Sequence, residues 1–306
     1  MSIFSFIGRK GSTGFGYEST AEDVTAGVSL AGKTILVTGC NSGLGLETMR
    51  VLALRGAHVI GTARTEEKAV QAARSIVGKA TGLACELEDP ASIAKCISKI
   101  KAGAYRLDAI VANAGIMALP KLELVHGLER QFFTNHIGHF ILVTGLLNCL
   151  SKEGRVVMLS SGAHKTAPQG GIDFDNLDGS KGYKPWTFYG QSKMANLLFA
   201  KELARRFSGT KQTAYAVHPG VIKTNLSRNM NPVVGTVLNA FGPLLLKTIP
   251  QGAATQCFCA ANPAAIPLNG NYFSNSNVAA CRAEGNDPEL ARRLWDVSER
   301  IVAGLS

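Results

Sequence analysis

The feature that most constrains this chain is a rhythm of short apolar runs, each ended by a turn and followed by a stretch with apolar residues at helical spacing. Lys33 to Thr38 is a compact apolar run of the buried-strand kind, a glycine-rich turn follows, and Leu44 to Leu54 reads as a helix. The unit recurs at Ala57 to Ala63 with a helical stretch from Glu66 to Val77, and near Leu83 with a helix opening at Pro90. It recurs again at Leu107 to Ala112 with a long helix over roughly Glu129 to Leu150, and at Arg155 to Leu159 with a helix from Tyr189 to Phe207; a further strand reaches Val217. Strands apolar on both faces and separated by helices predict an α/β class chain: one doubly wound domain, a central parallel sheet with helices on both faces.

Composition narrows this further. At 306 residues and 46% hydrophobic content the chain suits one domain with appendages. We divide it into an N-terminal extension, 1–30, whose one organised part is a capping-box pattern at Ser19-Thr20-Ala21-Glu22, and a single domain over 31–306. Seven cysteines without CxxC spacing argue against a disulfide framework and a structural zinc site, and point to a reducing, cytoplasmic setting. No apolar run reaches the length of a membrane span, and the opening run Met1 to Ile7 is too short for a signal peptide. The net charge of +10 is scattered, without a dense basic block or aromatic interleaving, so it reads as a solvated surface and not as a nucleic-acid site.

In a doubly wound sheet the ligand crevice lies beyond the carboxyl ends of the strands. After the first strand comes Thr38-Gly39-Cys40-Asn41-Ser42-Gly43-Leu44-Gly45, whose glycines permit a tight turn and close backbone approach while the following helix offers free N–H groups to phosphate. A glycine-rich turn can also be only a turn. The second strand ends in Ala63-Arg64, with no acid in the chain beside it, which favours a 2′-phosphate and hence NADPH/NADP+. The fourth ends in Ala112-Asn113-Ala114-Gly115, small residues at the same sheet edge.

Tyr189 and Lys193 stand at i and i+4 on one helix face. A tyrosine titrates near ~10 and needs a neighbouring positive charge to exchange protons near neutrality. The spacing alone is common on helix surfaces, but Ser160-Ser161 follows a strand and Asn135 lies in the preceding long helix, so all four can line one crevice. His136 and His139 form an HxxH pair that no further ligand completes, and no metal site is expected. His218 beside Pro219 reads as structural, and His164 as a residue that could touch substrate.

Taken in order, TGCNSGLG at Thr38 to Gly45, ANAG at Ala112 to Gly115, NHIGHF at Asn135 to Phe140, LSS at Leu159 to Ser161, YGQSK at Tyr189 to Lys193 and HPGVIKT at His218 to Thr224 resemble the short-chain dehydrogenase/reductase family over about residues 30 to 275. NHIGHF and YGQSKMANLLFAKELARRF are similar to its retinol dehydrogenase and WW-domain oxidoreductase branch. GFGYESTAEDVTAGV and PQGAAT are similar to a plant chloroplast inner-envelope member of it. The resemblance implies a Rossmann domain in which Tyr189 donates a proton to the substrate oxygen, Ser161 polarises that oxygen, Lys193 bonds the nicotinamide ribose, and Asn135 supports a water. It further implies cofactor contacts at Gly39, Asn41, Ser42, Gly43, Leu44, Gly45, Arg64, Glu86, Leu87, Asn113, Ala114, Gly115, Pro219, Gly220, Ile222 and Thr224, besides Tyr189 and Lys193. Glu86-Leu87 stands where the family usually has aspartate and leucine.

The apolar segment at about 226–250 is where the family places a substrate lid, which implies a lipophilic carbonyl or alcohol; packing against the core, a second subunit or a membrane surface accounts for it as well. A homodimer or homotetramer is expected from the resemblance. Two other readings stay open: an NADPH-binding sensor or scaffold without turnover, and a protochlorophyllide reductase-like enzyme suggested by GLGL.

Overall fold

Alternate residues of the first apolar run go to opposite sides of a sheet: Ile35 and Val37 pack on one face and Leu36 on the other, so neither face of the strand is wet. In the computed structural model, which describes residues 9–222 and 246–305, this run is β1 (Thr34–Thr38). There follow α2 (Gly43–Leu54), β2 (His58–Ala63), α3 (Glu66–Arg74), β3 (Ala80–Ala84), α4 (Pro90–Ala102) and β4 (Leu107–Ala112), with α1 (Ala21–Val24) preceding β1. A small hairpin, β5 (Leu124–Val125) and β6 (Leu128–Glu129), leads to α5 (Gly138–Leu146), β7 (Leu150–Leu159), α6 (Pro185–Arg206) and β8 (Thr213–His218). The chain ends with α7 (Ile249–Ala261), β9 (Tyr272–Ser274), β10 (Asn277–Val278) and α8 (Pro288–Ala303).

The sheet runs β10-β9-β8-β7-β4-β1-β2-β3. It is parallel throughout the named pairs except for β10, which turns back antiparallel on β9, so the parallel sheet expected from the sequence carries one antiparallel edge. Strand order reverses between β1 and β4, which puts the topological switch point there. Met49 and Leu52 of α2 and Phe258 of α7 fill one face; Ile93 of α4 and Leu197 and Leu203 of α6 fill the other.

Three elements depart from the sequence reading. The long helix expected over 129–150 is a three-residue turn (Arg130–Phe132), a π turn (Phe133–Ile137) and then α5, ending in a 3-10 turn at Leu147–Cys149. β7 starts at Leu150, five residues early: Leu107 pairs with Leu150 and the register then shifts, so the exposed Lys152 and Glu153 sit within a strand. α6 starts at Pro185, a residue suited to a first helical position because its missing N–H has no partner there.

Residues 9–30 lie against the first face. Phe15 meets Phe258 edge-on at 5.8 Å, Ala21 and Val24 are buried, and Asn262 donates to the Val24 carbonyl at 2.8 Å. The capping box is real but one residue later than expected. Thr20 Oγ1 accepts from the Asp23 amide and Asp23 returns the bond to the Thr20 amide, while Ser19 accepts from Gly16.

Candidate active site

The switch point opens into a cleft of about 390 Å³ lined by Gly39, Asn41, Ser42, Gly43, Leu44, Gly45, Arg64, Glu86, Leu87, Asn113, Ala114 and Gly115. Its floor is made for close approach of a ligand to backbone. Gly39 sits at φ +69°, and a Cβ on Gly45 would come within 2.1 Å of the Gly39 carbonyl oxygen. Helices α1, α3, α4, α7 and α8 each close their first turn with a side chain, from Thr20, Thr65, Asp89, Thr248 and Asp287. Ser42 makes no such bond at α2, and no acidic residue enters that turn, so its N–H groups and dipole face the cleft open to an anion. These features fit the diphosphate of a dinucleotide.

One hydroxyl sets the width of this floor. Thr38 Oγ1 accepts from the amides of Asn113 and Ala114, both at 2.9 Å, which tie β1 to β4. Its proton then goes to His139 Nε2 at 2.9 Å, and His139 Nδ1 donates to the Asn135 carbonyl at 2.9 Å. Burial pushes His139 down to about 4, so this imidazole is neutral and structural. Asn113 spends its amide on the Thr38 carbonyl at 2.8 Å and on Gln256 of α7 at 3.2 Å, which makes it a positioning residue within the cleft wall.

At the adenosine end the structure corrects one premise. Arg64 has no acid beside it in the chain, but β3 lies next to β2 and carries Glu86 to 3.8 Å from the Arg64 guanidinium. Arg64 is exposed and Glu86 half-buried, and Lys68 from α3 lines the same corner. Cation outnumbers anion there by two to one.

The four proposed catalytic residues converge beyond the floor. A Cβ on Gly115 would lie 2.8 Å from Asn135 Oδ1 and 3.4 Å from Lys193 Nζ, so those groups meet at the end of β4. Ser160 turns away to the Lys193 carbonyl, while the Ser161 hydroxyl accepts from the Ala163 amide at 3.1 Å and lies near enough to the Tyr189 phenol to favour its ionised form. Lys193 Nζ donates to the Leu159 carbonyl at 3.1 Å and stands 5.6 Å from the centre of the Tyr189 ring. Burial pushes Tyr189 up to about 12, against the pull of the nearby Ser161 hydroxyl, and pushes Lys193 down to about 8. At neutral pH the tyrosine therefore holds its proton.

The Asn135 side chain is held on three partners. Its amide is spent on the backbone of Ile116, accepting at 2.8 Å and donating at 2.9 Å, and on Ser192 Oγ at 2.9 Å. The π turn delivers this side chain inward to staple the end of β4 to α6.

His164 is buried, with Nδ1 on the Ser161 carbonyl and Nε2 accepting from the Arg282 amide, which rules it out as a substrate contact in this arrangement. His218 accepts from the Gly162 amide at 3.0 Å and so props the Ser161 turn from below. Pro219 and Gly220 continue from β8, Gly220 at φ +91° against the Lys247 stem, and Ile222 packs toward Leu44 and Gly252. Thr224 and residues 226–245 of the expected lid lie outside the described residues; of the remainder, Lys247 bridges to Ile222 and Ile249-Pro250 open α7. Thr38, Gln256 and Lys68 were not singled out from the sequence, and only Thr38, directly before the glycine turn, carried a positional signal.

A family model described as short chain dehydrogenase matches residues 33–174. The chain is 39% identical over 320 residues to "Short-chain dehydrogenase TIC 32 B, chloroplastic" of Brassica napus, with all of both chains covered. It is 39% identical to retinol dehydrogenase 12 of Mus musculus, over 91% of this chain and 89% of that one. It is 36% identical to the human WW domain-containing oxidoreductase, over 93% and 71%. A crystal structure from Mycobacterium Paratuberculosis superposes with a TM-score of 0.74 at 33% identity, covering 92% of this chain and 96% of that one. The switch-point cleft, the open first turn of α2 and the serine, tyrosine and lysine cluster agree with these matches: the chain belongs to the short-chain dehydrogenase/reductase family, in the branch of the TIC 32 dehydrogenases, retinol dehydrogenases and WW domain-containing oxidoreductase.

Proposed function

We propose that this protein is an NADPH-dependent reductase of lipophilic aldehydes or ketones, able to oxidise the matching alcohols in reverse. The observation that carries the reading is the buried, protonated Tyr189, with the Ser161 hydroxyl near its phenol and Lys193 over its ring. A substrate oxygen placed between the two hydroxyls accepts one hydrogen bond from Ser161 and the transferred proton from Tyr189. Lys193, held by the Leu159 carbonyl, puts its ammonium beside the phenol and favours the tyrosinate left after transfer. Asn135 keeps β4 and α6 in register so that these groups stay aligned.

A nicotinamide cofactor, when bound, would supply the hydride. The open first turn of α2 would hold its diphosphate, Ala114 and Gly115 its ribose side, and Arg64 with Lys68 its 2′-phosphate. Relatives named as retinol dehydrogenases favour a lipophilic substrate.

The test is NADPH oxidation by the purified protein with retinal, long-chain aldehydes, aromatic ketones and steroid ketones, run beside Tyr189→Phe and with NADH in place of NADPH. Turnover lost in the variant supports the reductase. Tight NADPH binding with silence across the panel would instead indicate a nucleotide sensor.

A further inference from the structure

Helix α6 carries Trp186, Tyr189 and Lys193 at spacings of three and four, which is one helix face. Exposure climbs along that face from the interior outward: Lys193 is 3% exposed, Tyr189 8% and Trp186 46%. Side chains on a helix lean toward its N-terminus, so the Tyr189 ring leans back over the turn that holds Trp186. The two rings meet edge to face, 6.0 Å apart at 81°.

We propose that Trp186 is a specificity-determining residue of this site, an indole wall for carbonyl compounds whose reacting group is attached to a flat apolar skeleton; the proposal rests on the reductase reading above. The substrate oxygen belongs between Ser161 and Tyr189, and Lys193, held on the Leu159 carbonyl, occupies the buried end of that helix face. The rest of the substrate must therefore extend outward, along the exposed end of the same helix face.

The base of the wall is fixed. Thr166 Oγ1 bonds the Trp186 and Ala163 carbonyls, both at 2.9 Å. Gly190, without a Cβ, lets α6 lie directly on that turn; an added methyl would meet Thr166 Oγ1 at 2.4 Å. The Trp186 backbone is thus tied to the segment that begins at Ser161, so only the two side-chain torsions of the indole are left to order when a substrate packs on it. The chain's other tryptophan, Trp295, is 5% exposed and packed by Phe199 and Arg206, so it is a core residue while Trp186 is left half-exposed. An exposed aromatic beside a reaction centre favours planar apolar partners, which stack on it, over short aliphatic ones.

The experiment compares 2-naphthaldehyde with butanal in the full-length parent, Trp186→Ala and Trp186→Phe, with NADPH. The ratio of kcat/KM for naphthaldehyde over butanal should fall about tenfold in Trp186→Ala, chiefly through KM, and recover most of the way in Trp186→Phe. In parallel, calorimetry measures 2-naphthaldehyde binding to the NADP+ complex of Tyr189→Phe, and Trp186→Ala added to it should weaken that binding by a similar factor. An unchanged ratio, or an equal loss of kcat for both aldehydes with unaltered calorimetric affinity, overturns the proposal. If the parent reduces neither aldehyde, the reductase reading fails for these substrates, and absence of calorimetric binding then overturns the wall as well.

Discussion

The floor of the cleft and its inner wall solve different problems. In the floor, shape does the work: glycines bring backbone close, one helix is left uncapped, and the polar side chains of Thr38 and Asn113 are satisfied by protein partners. In the wall, charge does it: Tyr189 and Lys193 are buried without a carboxylate partner among the described residues, and burial moves their proton affinities in opposite directions. A ligand held by the floor needs only the fold. A proton moved at the wall needs two groups held out of water at some cost in stability.

The sharpest break between the two comes from Tyr189→Phe, which should lower turnover by about 10²-fold or more while the NADPH dissociation constant stays within a few fold. If binding collapsed together with turnover, wall and floor would not be separable. Gly45→Ala is the reciprocal case: its methyl meets the Gly39 carbonyl and Asn113 amide, and NADPH affinity measured by fluorescence titration should drop at least about tenfold. Arg64→Ala should raise the KM for NADPH about tenfold and that for NADH by much less, since only the former carries a 2′-phosphate. Equal effects on both nucleotides would assign Arg64 to its Glu86 pair alone.

A smaller effect concerns stability. Lys193 has a folded pKa near 8 against an ordinary 10.5, so between those values the unfolded chain binds the extra proton and the group's contribution to stability rises with pH. Lys193→Met removes the cost of burying the charge. Its stability gain over the parent should be largest near pH 7 and shrink by no more than about 1.4 kcal/mol per unit between pH 8 and 10.5. Urea unfolding at pH 7, 9 and 10 measures it, and a pH-independent difference would place the ammonium in water.

What could be read from the sequence follows from the range of the interaction. The spacing of Tyr189 and Lys193 is a property of one helix, and the glycine turn after β1 a property of eight residues, so both were legible. The same spacing rule reaches Trp186, one turn earlier, but its helix starts before the expected boundary. Arg64 and Glu86 meet only because β2 and β3 are neighbours in the sheet, which no local pattern states. The π turn was hidden for a different reason. Phe132 to Phe140 is buried on every side, so no apolar stripe shows where the helix changes phase. β9 and β10, of three and two residues, are too short to carry an alternation.

The shared hydroxyl of Thr38 has a kinetic consequence. The amides of Asn113 and Ala114 lie at the rim of an open cleft, where loop amides normally exchange with solvent quickly. Because both are bonded to a strand side chain that is itself anchored to His139, releasing them requires β1 and β4 to part at their ends. Their deuterium uptake should therefore track the slow opening of the central strands, and the mouth of the cleft should keep its width on the timescale at which the sheet itself holds together.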